Sequence, residues 1–204
     1  MGGKENNITG LGLTGIVLAA GASLRLGRPK QLVELDGIPL LVRILRVLLA
    51  HCDRGVICVL GAHAADIRPA LDRMDVRIVV NSDWHEGLGA SIRAGVAHVP
   101  ADTRAILLSV CDQPLVCKAD IARLGAEWQI DQQAIVAAGY GEGYGVPAIF
   151  PAAYRDDLAA LQGDQGAKTL IDAAPGRRIV EMPNAAFDID NSADLAQLYK
   201  FNSK

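Results

Sequence analysis

Three cations and two glycines lie within GASLRLGRPK, residues 21–30, directly after the apolar run at residues 15–20. Glycines let backbone N–H groups approach phosphate oxygens, and arginine and lysine side chains neutralise those oxygens. The stretch lacks the G-x-G-x-x-G of a dinucleotide-binding loop, and Gly27 is followed by Arg28 instead of the Lys-Ser/Thr of a P-loop. We interpret it as a phosphate-binding loop of another type, with a polar surface loop as the alternative.

Carboxylates follow two later segments. Asp112 comes just after the apolar run AILLSV, and Asp188 and Asp190 alternate in DIDNSADL before the last helical segment. Alternation places these two side chains on one face of an extended segment. Mg²⁺ usually takes one or two carboxylates together with substrate phosphates, so these residues are candidate magnesium ligands. The competing interpretations are turn capping by Asp112 and helix-dipole pairing by the other two.

A third polar group, NSDWHEGLGASIRAG, begins at Asn81 and includes Ser91. Its small residues would allow close approach of a flat base or a ribose. Trp84 is more typical of packing than of base stacking. The four histidines share no metal-ligand spacing, so they predict no metal centre.

Apolar runs alternate with helix-period segments, which indicates an α/β sheet covered on both faces. Ligands of such sheets bind at the carboxyl ends of the strands, where the polar groups above fall. The pattern predicts one domain with a mostly parallel sheet. The predicted strands are residues 15–20, 56–60, 76–80, 105–110, 134–138, 147–150 and 177–182. The predicted helices are residues 39–50, 64–73, 90–99, 118–129, 151–161, 165–174 and 192–199, the last capped by Ser192.

The composition excludes several classes of protein. Half of the 204 residues are hydrophobic, 21% are charged, and the net charge is -3. This charge provides no general attraction to nucleic acid or to anionic lipid. No apolar run reaches the length of about 20 residues that a membrane-spanning helix needs. We therefore expect neither a nucleic-acid partner nor a membrane partner.

The N-terminal segment and the cysteines indicate the compartment in which the protein is found. Residues 1–13 have no apolar signal-peptide core and predict a disordered leader. The four cysteines form two C-x5-C pairs, wider than the usual zinc spacing, and we expect buried free thiols. Together these features favour a cytoplasmic protein.

Six motifs, in order along the chain, resemble the molybdopterin nucleotidyltransferase family, in its CTP:molybdenum cofactor cytidylyltransferase-like branch. Leu26 and Leu88 depart from the methionines usual in that family. The motifs are LAAGASLRLGRPK from Leu18 to Lys30, the N-x-x-W-x-x-G-x-x-x-S residues Asn81, Trp84, Gly87 and Ser91, SVCDQPLV from Ser109 to Val116, the G-x-P residues Gly145 and Pro147, GDQGAK from Gly163 to Lys168, and DIDNSADL from Asp188 to Leu195.

The resemblance implies a single three-layer α/β/α nucleotide-binding domain over residues 14–204. It would be Rossmann-like, of the nucleotide-diphospho-sugar transferase type. The implied reaction transfers CMP from CTP to the terminal phosphate of molybdopterin or the molybdenum cofactor and releases pyrophosphate. The implied metal is Mg²⁺, with Mn²⁺ as an alternative, and a molybdoenzyme or its chaperone would receive the product.

The resemblance also implies residue roles. Arg25, Lys30 and Asp112 would be catalytic, with the two cations on the triphosphate and the departing pyrophosphate. Asp112 and Asp190 would hold the metal, with Asp188 as the alternative second carboxylate. Gly145 and Pro147 would border the acceptor. The expected nucleotide-binding residues are Leu18, Ala19, Ala20, Gly21, Ser23, Arg25, Lys30, Gly61, Asn81 and Ser91.

Three other functions compete with this one. The chain could use GTP or a sugar or polyol phosphate, could be a non-catalytic nucleotide-binding cofactor chaperone, or could be an NAD-dependent oxidoreductase, which the missing G-x-G-x-x-G disfavours. Ala20 stands where the guanylyltransferase branch usually has glycine, and its β-carbon would narrow the space beside the base. This favours CTP. The alternative is that Ala20 only packs and that Gly61 or Ser91 selects the base.

Overall fold

The computed structural model describes residues 10–202. In this part of the chain the strands are β1 (Leu13–Ala19), β2 (Glu34–Leu35), β3 (Ile38–Pro39), β4 (Val56–Leu60), β5 (Arg77–Val80), β6 (Ala105–Val110), β7 (Val136–Tyr140), β8 (Gly143–Pro151) and β9 (Arg178–Glu181). The α-helices are α1 (Leu40–Leu49), α2 (Ala64–Ile67), α3 (Leu88–Val96), α4 (Lys118–Ile130), α5 (Arg155–Ala159), α6 (Lys168–Ala173) and α7 (Ser192–Asn202).

Seven strands form one mostly parallel sheet in the order β5-β4-β1-β6-β8-β7-β9. Strand β8 runs antiparallel to both of its neighbours, and every other pair is parallel. The central strands β1 and β4 are buried along their whole length, because helices cover both faces. The carboxyl ends of β1 and β6 therefore lie side by side at the middle of the sheet.

Two apolar clusters fix the helices to the sheet. Helices α1, α2 and α4 pack on one face through side chains such as Leu45, Ile67 and Trp128. Helices α3, α5 and α6 pack on the other face, through side chains that include Ile92 and Leu158. The predicted single α/β/α domain is thus confirmed.

A third cluster lies beside the carboxyl edge of the sheet. Leu35 and Leu40 of the β2–β3 hairpin region pack with Ile189 and with Leu195 and Leu198 of α7. The Ile189 N–H also donates to the Asp112 carbonyl oxygen at 2.9 Å. This packing brings the segment around residues 188–190 to the end of β6.

Several predicted boundaries were wrong at the start of the chain. Strand β1 begins at Leu13, two residues earlier than expected, and Leu11 and Leu13 are both buried. The end of the predicted leader therefore belongs to the folded domain, while its residues 1–9 lie outside the described residues. The predicted helix at residues 64–73 is instead the short α2 followed by a 3-10 turn, since Pro69 offers no N–H.

The glycine-rich segment after residue 139 was predicted to contain only a strand at residues 147–150. It is a hairpin in which β8 begins at Gly143 and runs to Pro151. The cap of α7 also differs from the expectation. The Asn191 side-chain oxygen, not that of Ser192, accepts hydrogen bonds from the first N–H groups of the helix.

Two further expectations have clear outcomes. Cys52, Cys58 and Cys111 are buried free thiols, as expected, whereas Cys117 is exposed. Among residues 10–202, no helix combines the length and the apolarity that crossing a bilayer requires.

Candidate active site

Lys30 lies between two carboxylates at the carboxyl edge of the sheet. Its Nζ donates to Asp112 Oδ2 at 2.9 Å and to Asp190 Oδ1 at 3.1 Å. Asp112 follows β6, and Lys30 opens a 3-10 turn that ends the loop after β1. The structure thus brings together the lysine and the two carboxylates that the sequence singled out.

Arg25 extends this cluster toward solvent. Its Nη2 donates to Asp190 Oδ2 at 2.8 Å, although 71% of its side chain is exposed. An exposed ion pair of this kind contributes little to stability, about 0–1 kcal/mol. The guanidinium is therefore free to exchange its partner for a more highly charged one.

The charges of the cluster are strongly coupled. Burial lowers the pKa of Lys30, but Asp112 and Asp190 outweigh that effect and the pKa is raised overall. Burial works against ionisation of Asp190, yet Lys30 and Arg25 hold its pKa below the usual range. Burial, followed by Asp112 and Asp190, raises the pKa of Asp188 to about 6. Gln113 and Lys30 lower the pKa of Asp188 by less than burial and the two neighbouring carboxylates raise it.

The loop after β1 presents unbonded donors. Among the described residues, the backbone N–H groups of residues 21–25 donate to no protein acceptor. Ser23 adopts a φ of 53°, and its Oγ accepts a hydrogen bond from the Lys30 N–H at 3.1 Å. This bond holds the two ends of the loop together. Free N–H groups in such a turn form a concave site for an anion.

Gln31 fixes the base of the same loop. It is buried, and its Nε2 donates to the carbonyl oxygens of Ala19 and Gly21 at 2.8 and 3.0 Å. The Ala20 carbonyl oxygen accepts from the Ala62 N–H at 3.1 Å. The carbonyl groups of residues 19–21 are therefore occupied, so ligand contacts at these residues would use their N–H groups or side chains.

Two of the residues expected around the base and ribose are buried in the structure. Asn81 and Ser91 are buried, and Asn81 Nδ2 donates to Ser91 Oγ at 3.2 Å. A β-carbon added to Gly61 would lie 2.8 Å from the Ala20 β-carbon and 2.7 Å from that of Trp84. The methyl group of Ala20 thus packs against Gly61, and positions 20 and 61 share the same space.

A cleft of about 220 Å³ opens beside the cluster. Its lining includes Leu18 of β1, Val110 of β6, and Tyr140, Tyr144 and Gly145 of the β7–β8 hairpin. Pro147 is not among the lining residues and is buried in β8. Of the two residues predicted to border an acceptor, only Gly145 reaches the cleft.

Gln113 connects the end of β6 to both neighbouring segments. Its Nε2 donates to the carbonyl oxygens of Val146 and Ala185 at 3.1 and 3.0 Å. Val146 belongs to the hairpin that walls the cleft, and Ala185 precedes the acidic segment at residues 188–190. Gln113 therefore holds the cleft and the acidic segment in a fixed relation to Asp112.

The carboxylates fit a divalent cation that is only partly held by protein. No group of three or more His, Cys, Asp or Glu residues within residues 10–202 is arranged as a complete metal site. Asp112 and Asp190 nevertheless both place an oxygen within 3.1 Å of one ammonium group. Proteins usually bind Mg²⁺ through one or two carboxylates, and substrate phosphate oxygens and water fill the remaining coordination positions.

Sequence reasoning missed five residues of this region: Gln31, Gln113, Tyr140, Tyr144 and Lys168. Gln31, Gln113 and Lys168 lie inside or directly beside motifs that were quoted, so their position was a usable signal. The two tyrosines carried no prediction, because the hairpin that brings them to the cleft was not predicted.

The sequence of the chain is similar to those of several known proteins. The chain is 31% identical to nicotine blue oxidoreductase of Paenarthrobacter nicotinovorans, over 80% of this chain and 83% of that protein. It is 29% identical to a probable molybdenum cofactor guanylyltransferase of Bacillus cytotoxicus, over 61% of each chain.

Solved structures agree on the fold. Rv0371c of Mycobacterium tuberculosis H37Rv superposes with a TM-score of 0.81 at 32% identity, covering 92% of this chain and 97% of that one. A manganese complex of the same protein superposes with a TM-score of 0.74 at 29% identity, over 92% and 98% of the two chains. Residues 15–179 match the MobA-like NTP transferase domain. The chain therefore belongs to the MobA-like NTP transferase family, and it is an enzyme of the nucleotidyltransferase kind.

Proposed function

We propose that this enzyme transfers CMP from CTP to the terminal phosphate of molybdopterin or the molybdenum cofactor. The position of Lys30 is the main support for this proposal. Lys30 lies between Asp112 and Asp190, and it ends a loop whose backbone N–H groups at residues 21–25 have no protein acceptor. This places a cation, two carboxylates and a row of donors along one edge of the sheet. A nucleoside triphosphate needs all three.

The chemistry requires positioning and charge neutralisation. An oxygen of the acceptor phosphate attacks the α-phosphorus of CTP in line, and the bond to the β-phosphate oxygen breaks with its electron pair leaving on pyrophosphate. The attacking oxygen is already anionic, so no strong general base is needed. Lys30 and Arg25 stabilise the charge that develops on the leaving pyrophosphate.

A divalent cation fits the same carboxylates. Asp112 and Asp190 would hold Mg²⁺ or Mn²⁺, with Asp188 as the alternative second ligand, and the ion would neutralise triphosphate charge when bound. Support comes from the donor set of this chain and from the manganese complex of Rv0371c. Lys30 limits the repulsion between the two carboxylates, since it donates to both.

The proposal also includes the nucleotide that is used and the protein that receives the product. CTP is favoured because Ala20 carries a β-carbon where glycine would leave more room beside the base. In the structure that β-carbon packs against Gly61. The finished dinucleotide cofactor would pass to a molybdoenzyme or to its chaperone, in the cytoplasm.

Acceptor-dependent pyrophosphate release tests this proposal. Purified protein is supplied with CTP, Mg²⁺ and either molybdopterin, a sugar phosphate or a polyol phosphate. We expect pyrophosphate only when molybdopterin is present. Release with a sugar or polyol phosphate alone would replace the acceptor, and nucleotide binding without release under any condition would favour a cofactor chaperone.

A second candidate is a nicotinamide-dependent reductase, favoured by the likeness to nicotine blue oxidoreductase over 80% of the chain. The loop after β1 lacks the dinucleotide fingerprint, which disfavours it. Titration with NADH, followed by its fluorescence, separates the two candidates. Saturable NADH binding that CTP does not displace would support the reductase.

A further inference from the structure

We infer that Gln31 and His63 are positioning residues for the nucleotide. They hold the loop after β1 so that its carbonyl oxygens are bonded within the protein and its N–H groups stay free for a triphosphate. This inference rests on the proposed function, because that proposal places a nucleoside triphosphate on the loop. No motif of the sequence gave either residue a role.

The backbone of the loop is asymmetric in its hydrogen bonding. Every carbonyl oxygen from residue 19 to residue 24 accepts a hydrogen bond from the protein. The N–H groups of residues 21–25 donate to no protein acceptor in the part of the chain that the structure describes. Free N–H groups attract a phosphate oxygen, whereas a free carbonyl oxygen would repel it, so this arrangement favours an anion along the whole loop.

Gln31 accounts for two of these carbonyl groups. Its Nε2 donates to the oxygens of Ala19 and Gly21, at 2.8 and 3.0 Å, and only 1% of the residue is exposed. Its Oε1 is buried and has no hydrogen-bond partner within residues 10–202. A buried polar atom without a partner costs stability, so an amide is poorly suited to packing alone at this position. The contribution of Gln31 therefore lies in the two bonds that it donates.

His63 accounts for the carbonyl group of Ala22. The half-buried ring places Nε2 3.0 Å from that oxygen, and a carbonyl oxygen only accepts, so Nε2 carries a proton in this contact. The neighbouring Ala62 N–H donates to the Ala20 oxygen at 3.1 Å. The segment after β4 thus holds the carbonyl groups of residues 20 and 22, and Gln31 holds the alternate pair.

Packing does little to hold the loop. A β-carbon added to Gly21 would meet no atom within 4 Å, and 87% of Leu24 is exposed. The hydrogen bonds that Gln31 and His63 donate are therefore important restraints on the backbone of residues 19–22.

Loss of either side chain should affect nucleotide affinity more than the rate of transfer. Without these bonds the free loop would adopt several conformations, in some of which a carbonyl oxygen faces the phosphates. Binding would then have to order the loop, at a cost in affinity. Once the nucleotide is bound, its phosphates hold the loop, so kcat should change little.

Calorimetric titration with CTP and Mg²⁺, in the absence of an acceptor, tests the inference. We expect Gln31→Met and His63→Leu each to weaken binding about tenfold. Their kcat at saturating CTP should stay within about threefold of wild type. His63→Gln supplies an amide donor of similar reach and should bring the affinity back to within about threefold of wild type.

The matched controls are His98→Leu and Gln133→Met. His98 Nδ1 also lies 2.9 Å from a backbone carbonyl oxygen, that of Ala94, but at the amino edge of the sheet. Gln133 is exposed. Both controls should bind CTP like wild type, although His98→Leu should lower Tm. Circular dichroism establishes that each variant is folded.

Repeating the titration with GTP makes the result independent of base choice. Unchanged affinity for both nucleotides in Gln31→Met and His63→Leu, a fall in kcat with affinity preserved, or no rescue by His63→Gln would each overturn the inference. The expected losses of affinity without any CMP transfer would overturn the proposed function and leave this inference standing. Binding of neither nucleotide by wild type would overturn both.

Discussion

Lys30 and Arg25 bring two positive charges to three carboxylates, Asp112, Asp188 and Asp190, so the cluster has an excess of negative charge when all three are ionised. Asp112 and Asp190 accept hydrogen bonds from Lys30, while Asp188 lies near both and is affected by Lys30 only through a weaker electrostatic attraction. Such a cluster is stabilised by any further cation. The carboxylate oxygens that repel one another are suited to binding a divalent cation together with its nucleotide. This excess of negative charge is the physical basis of the metal site in the proposed function.

Asp112→Asn should abolish most turnover without unfolding the chain. We expect kcat to fall by about 1,000-fold, which corresponds to roughly 4 kcal/mol of transition-state stabilisation. The matched control is Asp72→Asn, an exposed aspartate after a 3-10 turn. Steady-state pyrophosphate release at saturating Mg²⁺ measures both variants. Near-wild-type kcat for Asp112→Asn would remove Asp112 from the site.

Lys30→Met should lower kcat more than it weakens CTP binding, because charge moves onto the pyrophosphate only during transfer. Measured kcat and the Kd for CTP separate these effects. The control is Lys118→Met, which alters an exposed lysine on α4. A change in Kd with kcat preserved would mean that Lys30 holds only the ground state.

Asp188→Asn should stabilise the chain at neutral and alkaline pH. The pKa of Asp188 is raised from 3.8 to about 6 in the folded state, so the folded chain binds this proton more tightly than the unfolded chain does. Ionised Asp188 therefore costs stability above about pH 6, and that cost disappears as the pH falls toward 4. The gain in Tm of Asp188→Asn should shrink over the same range.

Thermal unfolding at several pH values, with a chelator present, measures this effect. Asp190→Asn is the contrasting variant, because the pKa of Asp190 is lowered and its loss should reduce Tm at neutral pH. A lower Tm for Asp188→Asn at about pH 8 would contradict the electrostatic account.

Between elements, Gln113 joins three segments that are far apart in the sequence. Gln113→Ala would leave the Val146 and Ala185 carbonyl oxygens without their donor. An unsatisfied buried polar group costs about 1–3 kcal/mol, so the free energy of unfolding in urea should fall by about that amount. The exposed Gln133 provides the control Gln133→Ala. Equal free energies of unfolding for the two variants would show that the hydrogen bonds of Gln113 do not stabilise the fold.

The strands of the sheet could be predicted because their apolar runs need no tertiary information. The hairpin of β7 and β8 could not, since its glycines resemble those of a loop and its pairing depends on a partner strand. The Lys30–Asp112 and Lys30–Asp190 contacts were suggested only indirectly, by the rule that strand exits share one edge. Tyr144 and Lys168 meet across a hairpin and a helix, and nothing in either local sequence predicts that contact.

Across the sheet, the basic loop and the cleft both adjoin the central strands. The basic loop follows β1, and the cleft is lined by Leu18 of β1, Val110 of β6 and residues of the β7–β8 hairpin. Under the proposed function, the loop would bind the nucleotide, and the cleft, which Gly145 lines, would border the acceptor. A cytidylyl group would then be transferred from the nucleotide to the acceptor.

Competition between CTP and GTP tests whether the transferred group is cytidylyl. Both nucleotides are supplied at equal concentration with Mg²⁺ and molybdopterin, and the dinucleotide products are quantified by mass spectrometry. We predict that the cytidine dinucleotide predominates, because the β-carbon of Ala20 would narrow the space beside the base, and that Asp112→Asn forms neither product. Equal or greater yield of the guanine dinucleotide would contradict the cytidylyltransferase assignment, and the absence of any dinucleotide would contradict nucleotidyl transfer to this acceptor.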